Sequence, residues 1–101
     1  MELTYSLDDF TVKVNLCGEL DHHAAKKIID GLDRIIDLYL PKELIINMSG
    51  VSFMDSSGIA VLLSAYKKLL HAEGNVRVTG ILPQPKKVLS AAGLNRYMTI
   101  E

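Results

Sequence analysis

The chain has 101 residues, 49% hydrophobic and 23% charged, enough apolar material for one compact core and too little length for two independently folding halves. Lys and Arg total 11 against 12 for Asp and Glu, so no net field draws the chain to nucleic acid or an anionic membrane, and a protein partner or small ligand is expected instead. No apolar run approaches the roughly 20 residues of a membrane-spanning helix, and the opening MELTYSLDD carries acids where a signal peptide carries bases, which predicts a cytoplasmic protein.

Leu3 to Leu7 is predicted as the first strand of a hairpin turned by Asp8 and Asp9. From Phe10 to Cys17, apolar Phe10, Val12, Val14 and Leu16 partly alternate with Thr11, Lys13 and Asn15, the period of a strand with one buried face. Cys17 is the only cysteine and has no internal disulfide partner. Without a metal-ligand companion at useful spacing, it reads as a buried or half-buried thiol. Asp21 is placed to cap a helix whose Ala24, Ala25, Ile28, Ile29, Leu32, Ile35, Ile36 and Tyr39 recur at helical spacing until Pro41 ends it. Glu43 to Met48 is short and largely apolar, as in a central strand covered by helices and reached by a right-handed crossover.

Ile59 to Ala72 returns to the helical period through Val61, Leu62, Ala65, Tyr66, Leu69 and Leu70, with Lys67, Lys68, His71 and Glu73 facing water and Gly74 as the stop. Asn75 to Thr79 alternates as a strand, Pro83 and Pro85 permit a helix through Lys86 to Ala92 that Gly93 closes, and Tyr97 to Ile100 is the last strand. Strands and helices alternate throughout, without repeats or a linker, which predicts an α/β domain with a small mixed β-sheet packed with α-helices.

The informative stretch is Asn47 to Gly58 (NMSGVSFMDSSG), predicted to leave a buried strand, cross a loop and enter a helix beginning near Ser57. Loops at the carboxyl ends of strands are where ligands and partners meet open α/β sheets. A serine at that helix N-terminus is a plausible phosphate acceptor, because free backbone N–H groups and the positive end of the helix accommodate an anion. Phosphate would add a charge of about −1.5 to −2 to any interface formed there. The plainer reading is that Ser56 or Asp55 is an N-cap and that Gly58 permits close helix packing.

Ser52 to Gly58 (SFMDSSG) resembles the phosphorylation motif of the anti-sigma factor antagonists of the STAS family, and Gly18 to His23 (GELDHH) resembles the segment between the second strand and first helix of that family. The two blocks fall in the family's order and approximate spacing, and the similarity covers nearly the whole chain. It is nearest to the sporulation anti-sigma F factor antagonists, with stress-response antagonists further away. The resemblance implies a single STAS-type domain over residues 1–101, without a cofactor of its own. It implies that Ser56, the first serine after the motif aspartate, receives phosphate from the anti-sigma factor, itself a serine kinase using ATP and Mg²⁺. The unphosphorylated antagonist would bind that kinase and free the sigma factor, phosphate would prevent binding, and a serine phosphatase would reset the cycle. Family members often continue into a further C-terminal helix, a pattern from which a sequence ending at Glu101 departs, so contacts of that helix are not carried over.

Asp21, Phe53, Met54, Asp55, Ser57 and Gly58 surround Ser56 in this reading as the switch and partner-binding surface, with Asp21 both a cap and a neighbour of the serine. Phe53 and Met54 are an apolar pair placed to touch a partner or to plug the end of the sheet, with core the preferred place for Phe53. Adjacent His22 and His23 point in different directions on a helix and suit a solvated first turn better than joint metal binding. Lys67 and Lys68 suit a solvated face and only weakly an acidic partner.

Two other functions compete. Asp21, His22 or His23, and Ser56 supply the residue types of a catalytic triad, but Met54 occupies the first glycine position of a G-x-S-x-G elbow and the chain leaves little room for a substrate pocket, so no enzyme is expected. A STAS scaffold or nucleotide-binding module docked in a larger signalling assembly is the stronger competitor, although no P-loop is present.

Overall fold

A computed structural model describes residues 1–101. The elements are β1 (Glu2–Asp8), β2 (Thr11–Leu20), α1 (His22–Tyr39), β3 (Glu43–Met54), α2 (Ser56–His71), β4 (Asn75–Thr79), α3 (Pro83–Ala91), a 3₁₀ turn (Leu94–Arg96) and β5 (Thr99–Ile100). The strands form one sheet in the order β1-β2-β3-β4-β5, antiparallel between β1 and β2 and parallel beyond. Each parallel strand is laid down beside the last in one direction, so crossovers of one hand put their helices on one face of the sheet. The burial pattern agrees: Val12, Val14, Leu16, Leu44, Ile46, Met48, Val76 and Val78 are buried, whereas Lys13, Asn15 and Cys17 on the opposite face are exposed. A single cluster of 23 buried apolar residues joins those strands to α1, α2 and α3, so the molecule has one core.

Most predicted elements form, with instructive differences. Phe10 is 73% exposed because it belongs to the hairpin turn beside left-handed Asp9 (φ 55), and β2 starts only at Thr11. Cys17 is exposed and not buried, since strand parity sends it to the face opposite Leu16. Leu70 likewise lies on the outer side of α2, 56% exposed. Lys68, expected in water, is half-buried, and its Nζ lies 3.0 Å from Asp37 Oδ1, tying α2 to α1 and raising the Lys68 pKa through that hydrogen bond. The left-handed residue ending α2 is Glu73 (φ 58) and not Gly74; glycine is needed at 74 for close approach, since a Cβ there would come within 2.9 Å of the Pro41 carbonyl.

α3 starts three residues earlier than Lys86, because Pro83 and Pro85 fall in the first turn, where their missing N–H groups are not needed. The last strand is only Thr99–Ile100, the residues before it being drawn into the 3₁₀ turn. The difference with most bearing on function lies in β3, which does not end at Met48 but runs six residues further to Met54. β2 continues alongside it to Leu20, with register shifts between Asn15 and Cys17 and between Gly18 and Glu19 that absorb an extra residue of β3 before Gly50 and another at Ser52. No helix is long and apolar enough to cross a membrane.

Candidate functional site

The carboxyl ends of β2 and β3 are paired, Leu20 opposite Met54, so the next residues of both strands, Asp21 and Asp55, are brought side by side. Both are N-caps with nearly identical backbone angles, φ −107 and ψ −173 at Asp21 and φ −106 and ψ −171 at Asp55. Each satisfies an orphan amide of its helix. Asp21 Oδ1 accepts from Ala24 N–H at 3.1 Å, and Asp55 Oδ1 accepts from Ser57 N–H at 2.8 Å. Asp55 also reaches across, its Oδ2 accepting from His22 N–H at 3.2 Å while its own N–H donates to the Leu20 carbonyl at 3.4 Å. One carboxylate thus binds the N-termini of both helices, and the two motif blocks, joined by a bond that spans 33 positions of the sequence, form one site.

Asp55 is the cap, so the plainer reading holds for that residue but not for Ser56, which is the first residue of α2 and exposed. Ser57 is half-buried with its amide held by Asp55. Of the apolar pair expected to touch a partner or plug the sheet, Phe53, for which the core is the preferred place, is 41% exposed, whereas Met54 is completely buried and cannot meet a partner directly. Strand parity is the cause, since Met54 follows Leu20 into the core while Phe53, opposite Glu19, points out. Gly58 is buried directly over Met54, where a Cβ would overlap the Met54 Cγ and Sδ and approach a Leu20 methyl at 3.2 Å.

His22 meets Asp55 through its backbone N–H, and its ring lies edge-on to the exposed ring of His23 at 5.9 Å, without the base-to-hydroxyl hydrogen bond that an activated serine nucleophile needs. No group of three or more His, Cys, Asp or Glu is arranged to hold a metal ion. Grooves of about 580 and 710 Å³ run along α1, the first lined by Leu3, His23, Lys27 and Arg34 among others, the second by Asp33, Arg34, Asp37 and Leu38 among others, and neither includes Ser56. The serine stands on open surface.

One neighbour of the motif is not marked in the sequence. Gln84, 30 residues from Met54, hydrogen-bonds both of its peptide groups, its Oε1 accepting from the N–H and its Nε2 donating to the carbonyl, each at 2.9 Å. A lone polar residue in the first turn of a helix carries no sign of such a contact. Asp55→Ala is expected to cost about 1 to 2 kcal/mol, since it removes a helix cap and frees the His22 amide as well. Urea denaturation of the two proteins checks this, and a midpoint unchanged by the substitution would exclude the double capping role.

Residues 4–101 match the STAS domain. The chain is 35% identical over 88 residues to the anti-sigma F factor antagonist of Lysinibacillus sphaericus, an alignment covering 87% of this chain and 75% of that protein. It is 32% identical over 87 residues to the anti-sigma F factor antagonist of Paenibacillus polymyxa, covering 86% and 74%. Among solved structures it superposes on the anti-sigma factor antagonist SpoIIAA in its unphosphorylated form with a TM-score of 0.77 at 27% identity, covering 99% of this chain and 87% of that one. For Bacillus SpoIIAA in the phosphorylated form the TM-score is 0.76 at 30% identity, covering 99% and 91%. With the sheet order, the paired aspartate caps and a match spanning nearly every residue, the chain belongs to the STAS-domain family.

Proposed function

We propose that this chain is an anti-sigma factor antagonist whose unphosphorylated form binds an anti-sigma factor and releases a sigma factor, and whose binding is switched off by phosphorylation of Ser56. The observation that carries the reading is Ser56 itself, exposed at the first position of α2 immediately after the capping residue Asp55. An open hydroxyl at the positive end of a helix suits a phosphate acceptor, and a surface without an enclosing pocket suits a protein kinase as partner better than a small substrate. Relatives named as antagonists of anti-sigma F factor, and SpoIIAA structures in both phosphorylation states, support the same regulatory role. In this role Ser56 is a substrate and not a catalyst, the anti-sigma factor supplies ATP and Mg²⁺, a serine phosphatase removes the phosphate, and the cycle runs in the cytoplasm. Phe53, Asp55, Ser57 and Asp21 form or frame the contact surface, while Met54 and Gly58 act from beneath it by setting the pitch at which α2 leaves the sheet.

Incubation with an anti-sigma factor kinase and Mg-ATP, followed by mass spectrometric mapping, tests the assignment; phosphate on Ser57 in place of Ser56 would overturn it. Ser56→Ala is expected to remain folded, accept no phosphate and bind the anti-sigma factor persistently in the presence of ATP. Because Asp55 and not Ser56 is the cap, the substitution should change stability by no more than about 0.5 kcal/mol. Isothermal titration in which a folded Ser56→Ala protein does not bind would count against the proposed interface.

A further inference from the structure

β3 outruns its neighbour on one side. β4 pairs with it only from Glu43 opposite Asn75 to Asn47 opposite Thr79, whereas β2 stays paired through Gly50, Val51, Phe53 and Met54. The far edge of β3 at Met54 therefore has no strand to take its N–H and carbonyl, and Met54 is fully buried, so water is not available to them. Gln84 fills that place. Its primary amide exchanges two hydrogen bonds with Met54, both 2.9 Å, as a residue on a neighbouring antiparallel strand would. It is carried by a well-anchored element: it is the second residue of α3, between Pro83 and Pro85 with their fixed φ, and Pro85 and Leu89 are buried.

Met54 is the residue before Asp55, which holds the Ser57 amide with one carboxylate oxygen and the His22 amide with the other. A path thus leads from Gln84 through two hydrogen bonds to Met54, along the chain to Asp55, and through its carboxylate to the Ser57 amide, with Ser56 between the last two. We propose that Gln84 is a positioning residue for Ser56: by pinning the Met54 peptide groups from α3 it fixes the direction in which the chain enters α2, and so where the hydroxyl is offered to the kinase. This role rests on Ser56 being the phosphate acceptor, and it makes α3, an element remote in sequence from the motif, part of the switch.

Two substitutions in the full chain test it. Gln84→Met keeps the length of the side chain and removes both hydrogen bonds, and Gln84→Glu keeps the acceptor but at neutral pH loses the donor. Amide hydrogen exchange is followed by NMR in the isolated proteins, and phosphorylation kinetics are measured with the anti-sigma F factor of Paenibacillus polymyxa and Mg-ATP. In both variants the Met54 and Ser57 amides should exchange about tenfold faster while the Val14 and Val78 amides of the core are unchanged, and kcat for Ser56 should fall about tenfold with KM nearly constant, because a displaced acceptor slows transfer more than docking. Faster exchange at Met54 alone, with Ser57 protection and kcat at wild-type values, would overturn the proposal, as would equal loss of protection across the core. If the wild-type protein accepts no phosphate, the reading of Ser56 fails by itself, and Ser57 exchange in the variants still decides whether Gln84 holds the start of α2.

Discussion

Ser56→Asp is expected to weaken binding to the anti-sigma factor at least about 100-fold, equivalent to about 2.7 kcal/mol, while leaving the fold and its melting temperature nearly unchanged. Ser56 is exposed at the first position of α2, where a negative charge gains about 0.3 to 1 kcal/mol from the helix dipole. Repulsion from Asp55 immediately before it, and from Asp21 at the cap alongside, opposes that gain, so the net change in stability is small. No such offset exists in a closing interface, where the new carboxylate must lose water against a partner surface shaped for a hydroxyl, and penalties of several kcal/mol are common, on the order of 2 to 5 for an unpaired buried charge. Binding therefore suffers far more than folding. Calorimetric titration, melting curves and amide spectra of wild type, Ser56→Asp and the neutral near-isostere Ser56→Asn separate charge from shape. Strong binding by Ser56→Asn with weak binding by Ser56→Asp supports an interface switch; widespread spectral shifts far from α2 with unchanged affinity would sink it.

Gly58→Val should be the most destabilising single change at the site, by about 3 kcal/mol, the upper part of the range for forcing extra carbon into a filled core. Helix propensity alone predicts the reverse for Gly58→Ala, since glycine inside a helix costs about 1 kcal/mol relative to alanine. Packing opposes it: the first added carbon lands on the fully buried Met54 side chain and lies 3.2 Å from a methyl of Leu20, which is also fully buried. For a domain of this size, 3 kcal/mol corresponds to a fall in Tm of roughly 12 to 24 °C at 4 to 8 °C per kcal/mol. The mechanism makes a stricter demand. Gly58→Ala and Met54→Ala should each destabilise, but the pair should cost about 1 kcal/mol or more less than the sum, because shortening Met54 opens the space that the new methyl needs. Additive losses would place the strain elsewhere.

What the sequence determined by itself was local. Apolar spacing marked α1 and α2, Asp21 announced its cap, and strand alternation marked β2 and β4, because each signal is a short-range property of period and capping chemistry. The block SFMDSSG could be placed at a helix start for the same reason, and its likeness to a known motif singled out Ser56. Its structural surroundings were settled by tertiary contact. Ser49 and Gly50 look like the end of a strand, yet pairing with the extension of β2 carries β3 to Met54. Strand parity then buries Met54 and exposes Phe53, the reverse of what hydrophobicity suggests for the bulkier ring. Asp21 and Asp55 become neighbours only because Leu20 lies opposite Met54 in a parallel register, and the bond from His22 to Asp55 spans 33 positions. Gln84 acquires its role solely because β4 stops short and leaves two peptide groups of Met54 without a partner. Periodicity reports which face of an element is apolar, whereas register, and the demand that every buried peptide group find a partner, are properties of the whole sheet.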